Sequence, residues 1–300
     1  MKYVVKAWGS GLLLVIWLIT GCQGEVQKAE EPRKNQQLPV AAAHILGDLT
    51  YQDVLQEGEV VHVANMPTQS GQIWVGTHRG LFVSADNKTW GLLSPELEGK
   101  DVTGWVVNPD NPNDIYVAGY QLSKKSTDGG QSWEDAVAGL PSAPDIRNVA
   151  GVGSGEKQVL YVTVSGDGIY RSADGGQHWK KWMVFEQAAY GMEYDAADDS
   201  MYVATQEGIW KSENNSWVKE DIPADSQVYS LAADNLEGVL YAATSDGILQ
   251  KTNRGWEPFD TQSPERLVVI SASGANHSLI GIGESAYLYV LQQEGWKKWE

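Results

Sequence analysis

Ser126-Thr127-Asp128-Gly129-Gly130-Gln131-Ser132-Trp133 and Ser172-Ala173-Asp174-Gly175-Gly176-Gln177-His178-Trp179 are two copies of one pattern. Each residue type in it has a local physical task. The Asp carboxylate and Ser hydroxyl accept backbone N–H groups of a turn, as Asx and ST motifs do. Gly130 and Gly176 permit a positive φ. The Trp covers a sheet edge with its large apolar face and keeps its N–H near solvent or a carbonyl. Asp128 and Asp174 therefore read as turn clamps. No partner acid or base stands at a spacing that suits catalysis, and the alternating carboxylates of a calcium loop are missing.

Weaker copies surround these two. Ser84, Asp86 and Trp90 form one, and Ser212-Glu213-Asn214-Asn215-Ser216-Trp217 forms another. Thr252-Asn253-Arg254-Gly255-Trp256 and Glu294-Gly295-Trp296 are fainter still. The anchoring tryptophans, 90, 133, 179, 217, 256 and 296, recur about every forty residues, a period that marks a propeller or solenoid. Each repeat carries an apolar second strand: Ile73–Gly76, Ile115–Ala118, Leu160–Thr163, Met201–Ala204, Leu240–Ala243 and Leu279–Ile282. A β-branched or apolar run precedes each one, beginning near Val60, Val102, Ile146, Tyr190, Val228 and Leu267. A Gly-led strand follows, as at Gly80, Gly168, Gly208 and Gly247, and a short strand sits at each Trp. Four short strands per repeat, six times over, predict an all-β, six-bladed propeller across 44–300. A seventh blade would need a cryptic repeat, and residues 44–53 are too few for one. Ile45–Leu49 reads as an extra strand that helps close the ring, on a blade the sequence does not identify. No helical periodicity is evident from residue 44 onward.

On these boxes and this period, residues from about 54 to 300 resemble the Asp-box (BNR) repeat propellers. That group includes sialidases, the sortilin ectodomain and the photosystem II stability and assembly factors. The resemblance implies that the box turns share one face. The opposite face then carries the entries to the innermost strands and the loops between second and third strands. Candidate binding residues on that face are His62, Trp105, Arg147, Tyr190 and Tyr229 from inner-strand starts. His78, Arg79, Asp167, Glu207, Asp246 and Glu284 come from the loops. Four successive blades thus place one carboxylate each at an equivalent position, an acidic rim able to attract a cationic partner. The alternative is ordinary turn chemistry at Asp167-Gly168, Glu207-Gly208 and Asp246-Gly247. His44, His62 and His78 show no tight ligand spacing, so neither metal nor cofactor is expected.

The N-terminus reads as an export signal. Lys2 and Lys6 precede the apolar run Leu12–Ile19, which is short for a membrane span. Leu18-Ile19-Thr20-Gly21-Cys22 resembles the bacterial lipobox, which implies lipidation of Cys22 as the mature N-terminus. The segments are then 1–21, a signal peptide; 22–43, a lipidated Cys and polar tether; and 44–300, the propeller. Cys22 is the only cysteine, so no intrachain disulfide can form.

The formal net charge is −17, and without Lys2 and Lys6 the processed chain stands at −19. Such an acidic surface disfavours nucleic acid. The expected function is a lipid-anchored, extracytoplasmic binding or assembly platform for a protein partner carrying a basic patch. The alternative is a sialidase-like glycoside hydrolase or glycan binder. Sialidases grip their substrate with three arginines, and their Arg-Ile-Pro signature is missing from the first blade. Arg79, Arg147, Arg171, Arg254 and Arg266 are the arginines available to the domain.

Overall fold

The computed structural model describes residues 46–299, apart from 57–58, 68–70, 87, 154–157, 224–225, 235–237, 260–261 and 273–278. The export signal, Cys22, the tether, His44 and His277 lie outside the described residues.

The first elements are β1 (Leu46–Leu49) and a single helical turn, α1 (Tyr51–Val54). Blade 1 holds β2 (Val61–Asn65), β3 (Ile73–Thr77), β4 (Gly80–Ser84) and β5 (Trp90–Leu92). Blade 2 holds β6 (Gly104–Asn108), β7 (Asn111–Gly119), β8 (Leu122–Ser126) and β9 (Glu134–Asp135). Blade 3 holds β10 (Ile146–Val152), β11 (Val159–Val164), β12 (Gly168–Ser172) and β13 (Lys180–Met183). Blade 4 holds β14 (Gly191–Asp195), β15 (Ser200–Thr205), β16 (Gly208–Glu213) and β17 (Ser216–Lys219). Blade 5 holds β18 (Val228–Asp234), β19 (Val239–Thr244), β20 (Gly247–Thr252) and β21 (Gly255–Pro258). Blade 6 holds β22 (Leu267–Ala272), β23 (Leu279–Gly283), β24 (Leu288–Gln292) and β25 (Gly295–Lys298). Every blade is an antiparallel meander in chain order, and together they form a six-bladed propeller.

The helical turn α1 departs from the all-strand expectation. Thr50 and Asp53 form a reciprocal capping box, and one turn is too short to leave a periodicity. Strand β1 adds antiparallel to β5, at the outer edge of blade 1. Both flanking blades are complete without it, so no shared strand closes the ring. Side-chain packing closes it instead. Val61, Ala64, Val75, Phe82 and Trp90 of blade 1 share one buried cluster with Ile280, Ile282, Leu288 and Val290 of blade 6. The Ser271 hydroxyl donates to the Ala64 carbonyl across the same seam, and Tyr51 OH donates to the Ala286 carbonyl at 3.1 Å.

The two strong boxes fold as their residues dictate. The Ser126 hydroxyl accepts the Gly130 N–H at 2.8 Å and donates to Asp128 Oδ1 at 2.8 Å. Asp128 Oδ1 accepts the N–H groups of Gln131 and Ser132 at 3.0 and 2.9 Å. Ser172 and Asp174 repeat this with Gly176 N–H and His178 N–H, both at 2.9 Å. The glycines stand at φ +90° and +92°, where a Cβ would be strained. Asp86 clamps Lys88 N–H and Thr89 N–H at 3.0 and 2.8 Å. Hydrogen bonds from Ser132 and Ser126 hold Asp128 down at about 2. Those from Thr89 and Lys88 do the same for Asp86. Asp174 also falls to about 2: partial burial opposes the shift, and His178 and Ser172 outweigh it.

The weaker boxes differ. Ser84 Oγ is buried with no partner among the described residues. Ser212 Oγ accepts the Met201 N–H at 2.8 Å and does not reach its own turn. Asn214 and Asn215 occupy that turn at φ 48° and 63°, a two-residue hairpin that needs no clamp.

The box tryptophans do more than cover an edge, because each packs on the preceding blade. Trp133 joins Trp74, Leu81 and Val83 of blade 1. Trp179 lies 5.3 Å from the ring of Tyr116 and donates to the Ala136 carbonyl at 2.9 Å, both on the blade 2 side. Trp217 stacks edge-on to Phe185 at 4.9 Å and donates to the Val184 carbonyl. Trp256 meets Tyr202, and Trp296 meets Ala243 and Ile248. Trp90 makes the same contact with blade 6, so the closing seam repeats the other five.

Candidate functional site

Antiparallel order puts the inner-strand starts, the loops between second and third strands, and the blade-to-blade connections on one face. The box turns fall on the other. The candidate residues gather on the first face with one exception. Trp105 is only 8% exposed and packs against Trp74 at a ring distance of 6.0 Å. It shares a buried cluster with Leu81, Val83 and Val102 at the blade 1–blade 2 seam, so it is core and not binding surface.

His62, Arg147 and Tyr229 share a device invisible in strand-level reading. In β2, β10 and β18 the pairing register skips the second residue, between Val61 and Val63, Ile146 and Asn148, and Val228 and Ser230. Those skipped residues are His62, Arg147 and Tyr229. A bulge re-aims a side chain and ends regular pairing at a strand mouth. The same skip occurs in β22, between Leu267 and Val269, around the apolar Val268, so a polar second residue does not mark it in the sequence.

The acidic rim is only half as acidic as its residues imply. Asp167 bonds Tyr170 OH at 2.5 Å and pairs with Lys181, whose ammonium does most to hold its carboxyl low. Glu284 pairs with Arg266 at 3.2 Å. Glu207 and Asp246 have no ion-pair partner among the described residues; they accept from Gln187 Nε2 and Ser226 OH at 3.3 and 2.8 Å. The turn chemistry expected as the alternative is also present. Thr205 and Thr244 hydroxyls donate to the Gly208 and Gly247 carbonyls and accept the N–H of Glu207 and Asp246. Thr77 repeats the motif and places His78 and Arg79. Glu207 also lines an open cavity of about 680 Å³ with Lys219, Glu220, Asp221 and Ile222.

Each of the five arginines has a protein partner. Arg79 donates to the Asp53 carbonyl behind α1 at 3.0 Å. Arg147 pairs with Asp145 at 2.8 Å, Arg266 with Glu284, and Arg254 with Glu257 at 2.9 Å. Arg171 donates to Tyr161 OH at 3.3 Å.

Three groups gain a significance the sequence did not give them. Of the seven exposed large apolar side chains among the described residues, Val60, Tyr120, Val137, Val184, Tyr190 and Tyr287 lie in the connections or loops of this face, and Val218 lies on outer strand β17. His62, His78 and Asp101 converge there, although 16 and 23 residues separate them in turn. Burial lowers the His62 pKa, Asp101 pulls it back up, and His78 and Arg147 push it down further. Glu193, on inner strand β14, accepts the Ala233 N–H of the next blade. Burial pushes its carboxyl up to about 8 despite that bond.

This architecture places the protein among the six-bladed β-propellers. No family model and no curated protein matches the chain. Solved structures do. Niastella koreensis GH74 enzyme has TM-score 0.58 at 16% identity, covering 80% of this chain and 45% of that one. An ancestral GH74 enzyme has TM-score 0.55 at 17% identity, covering 79% and 38%. YCF48 bound to a D1 peptide has TM-score 0.55 at 14% identity, covering 80% and 83%. The chain thus spans less than half of the glycoside hydrolases it matches and most of YCF48. At these identities the likeness shows the fold alone.

Proposed function

We propose that this propeller is a protein-docking platform of the Asp-box repeat type, held at the outer face of a bacterial membrane by a lipidated Cys22. The observation that carries the docking reading is that six of the seven exposed large apolar side chains among the described residues, Val60, Tyr120, Val137, Val184, Tyr190 and Tyr287, lie on the face opposite the boxes. Exposed tyrosines and valines gathered on one face favour protein recognition. Glu207 and Asp246 on the same face select a basic partner segment and steer its approach. YCF48, a propeller of similar length, has been captured with a peptide, which is consistent with this use of the fold. The engaged arginines weigh against a carboxylate-gripping glycosidase.

A crosslinking pull-down from native membranes tests the proposal. The wild-type chain captures a saturable basic partner. Glu207→Gln with Asp246→Asn weakens capture, and the effect shrinks as salt rises. Asp167→Asn with Glu284→Gln does less, because those charges are already neutralised in place. Equal capture by all three chains would remove the acidic rim from the account. In the same preparation Cys22→Ser leaves the chain unprocessed or free of the membrane; retention at mature size would contradict the anchor.

A further inference from the structure

We propose that His62, His78 and Asp101 form a binding site for a divalent transition-metal ion of the Zn²⁺ class. His62 Nε2 and Asp101 Oδ1 are 2.9 Å apart, His78 Nδ1 and Asp101 Oδ1 3.1 Å, and the two nitrogens 3.2 Å. Ligand atoms about 2.0–2.2 Å from an ion lie about 2.8–3.1 Å apart on an octahedral face and about 3.3–3.6 Å apart on a tetrahedral one. The observed triangle matches the first range with slight opening toward the second. Two imidazoles and one carboxylate suit borderline ions such as Zn²⁺, Co²⁺ or Fe²⁺ more than oxygen-seeking Ca²⁺ or Mg²⁺.

Protons bridge at most two of the three edges of this triangle. If both nitrogens carry hydrogen, Asp101 Oδ1 accepts both N–H groups and the two nitrogens have no bond between them. If one does not, its lone pair points at the carboxylate at about hydrogen-bond distance. A cation among the three atoms takes one lone pair from each and so engages all three together.

The surrounding fold pre-forms the ligands. The bulge in β2 re-aims His62. Glu59 Oε1 accepts the His78 N–H at 2.8 Å and fixes the loop backbone. The Asp101 carbonyl lies against Gly119, where a Cβ would stand 1.7 Å from its oxygen. Arg147 is the nearby positive charge, and it is paired with Asp145. His78 is half exposed and leaves the site open to solvent on its side, so the ion retains positions for water or for a side chain of a docked molecule. The site joins a blade 1 loop to the entry of blade 2, and it stands whether or not that face docks a protein.

Titration of the full chain in detergent with Co²⁺, followed by its visible absorption and by competition with Zn²⁺, tests the assignment. The wild type saturates at one equivalent. His78→Ala and Asp101→Asn each weaken binding by more than the roughly 10–100-fold caused by loss of an outer-sphere partner. His178→Ala, which breaks the separate Asp174 pair, leaves it unchanged. On the wild type itself, Zn²⁺ slows diethyl pyrocarbonate modification of His62 and His78 but not of His178. The proposal is overturned by the absence of saturable Co²⁺ binding, by binding that survives either ligand substitution, or by equal modification with and without Zn²⁺.

Discussion

Trp179→Ala is expected to destabilise the propeller by about 3–5 kcal/mol in urea unfolding, the range for truncating a large buried aromatic. The indole is 3% exposed and fills the seam between blades 2 and 3. Its N–H donates to the Ala136 carbonyl, which also accepts the Ser123 hydroxyl at 2.7 Å. That second bond keeps the carbonyl satisfied, so Trp179→Phe loses only about 1–2 kcal/mol. Trp90→Ala should match the alanine variant of Trp179. Trp90 is fully buried, and its Nε1 has no partner among the described residues, so packing carries its whole contribution. It also sits where blades 1 and 6 meet without a shared strand, and its loss should open the ring there. Trp217, only partly buried, should cost less. Equal small losses at all three would mean that the blades do not depend on these seams.

Glu193→Gln is expected to stabilise the protein at pH 8 and above, by an amount on the order of 2–3 kcal/mol. An unfolded glutamate titrates at about 4.3, whereas burial raises this one to about 8 in the folded chain. The native state therefore holds the extra proton between those values. The contribution of Glu193 is full below about pH 4.3 and falls as pH rises towards 8. Glutamine keeps the shape and has no proton to lose. Urea unfolding at pH 5 and pH 8 separates the cases. The variant should exceed wild type clearly at pH 8, with the gap closing at pH 5. An identical gap at both would show that ionisation of Glu193 costs nothing.

The fold was legible because each repeat carries its own punctuation. Asp128, Asp174 and their glycines specify turns locally, and the six tryptophans count the blades. Ring closure was less legible because it is a packing event. Nothing in Leu46–Leu49 distinguishes an outer-edge strand on blade 1 from a strand that completes blade 6. Trp105 was misplaced because an inner-strand start can face either the channel mouth or the neighbouring blade, and only packing decides. The histidine–aspartate triangle was hidden for a related reason. His62, His78 and Asp101 come from a strand bulge, a loop and the following blade, and only closure of the seam brings them together. The pairing of Asp167 with Lys181 was likewise beyond sequence reading, since it depends on the register of β12 with β13.

The most direct test of the docking account places a photo-crosslinking amino acid at Tyr190 on the exposed apolar face and, separately, at Gln131 in a box turn. After illumination of native membranes, the account predicts one dominant protein adduct from position 190 and none from position 131. An adduct from position 131 alone, or no adduct from either, would contradict the assignment of that face as the docking surface.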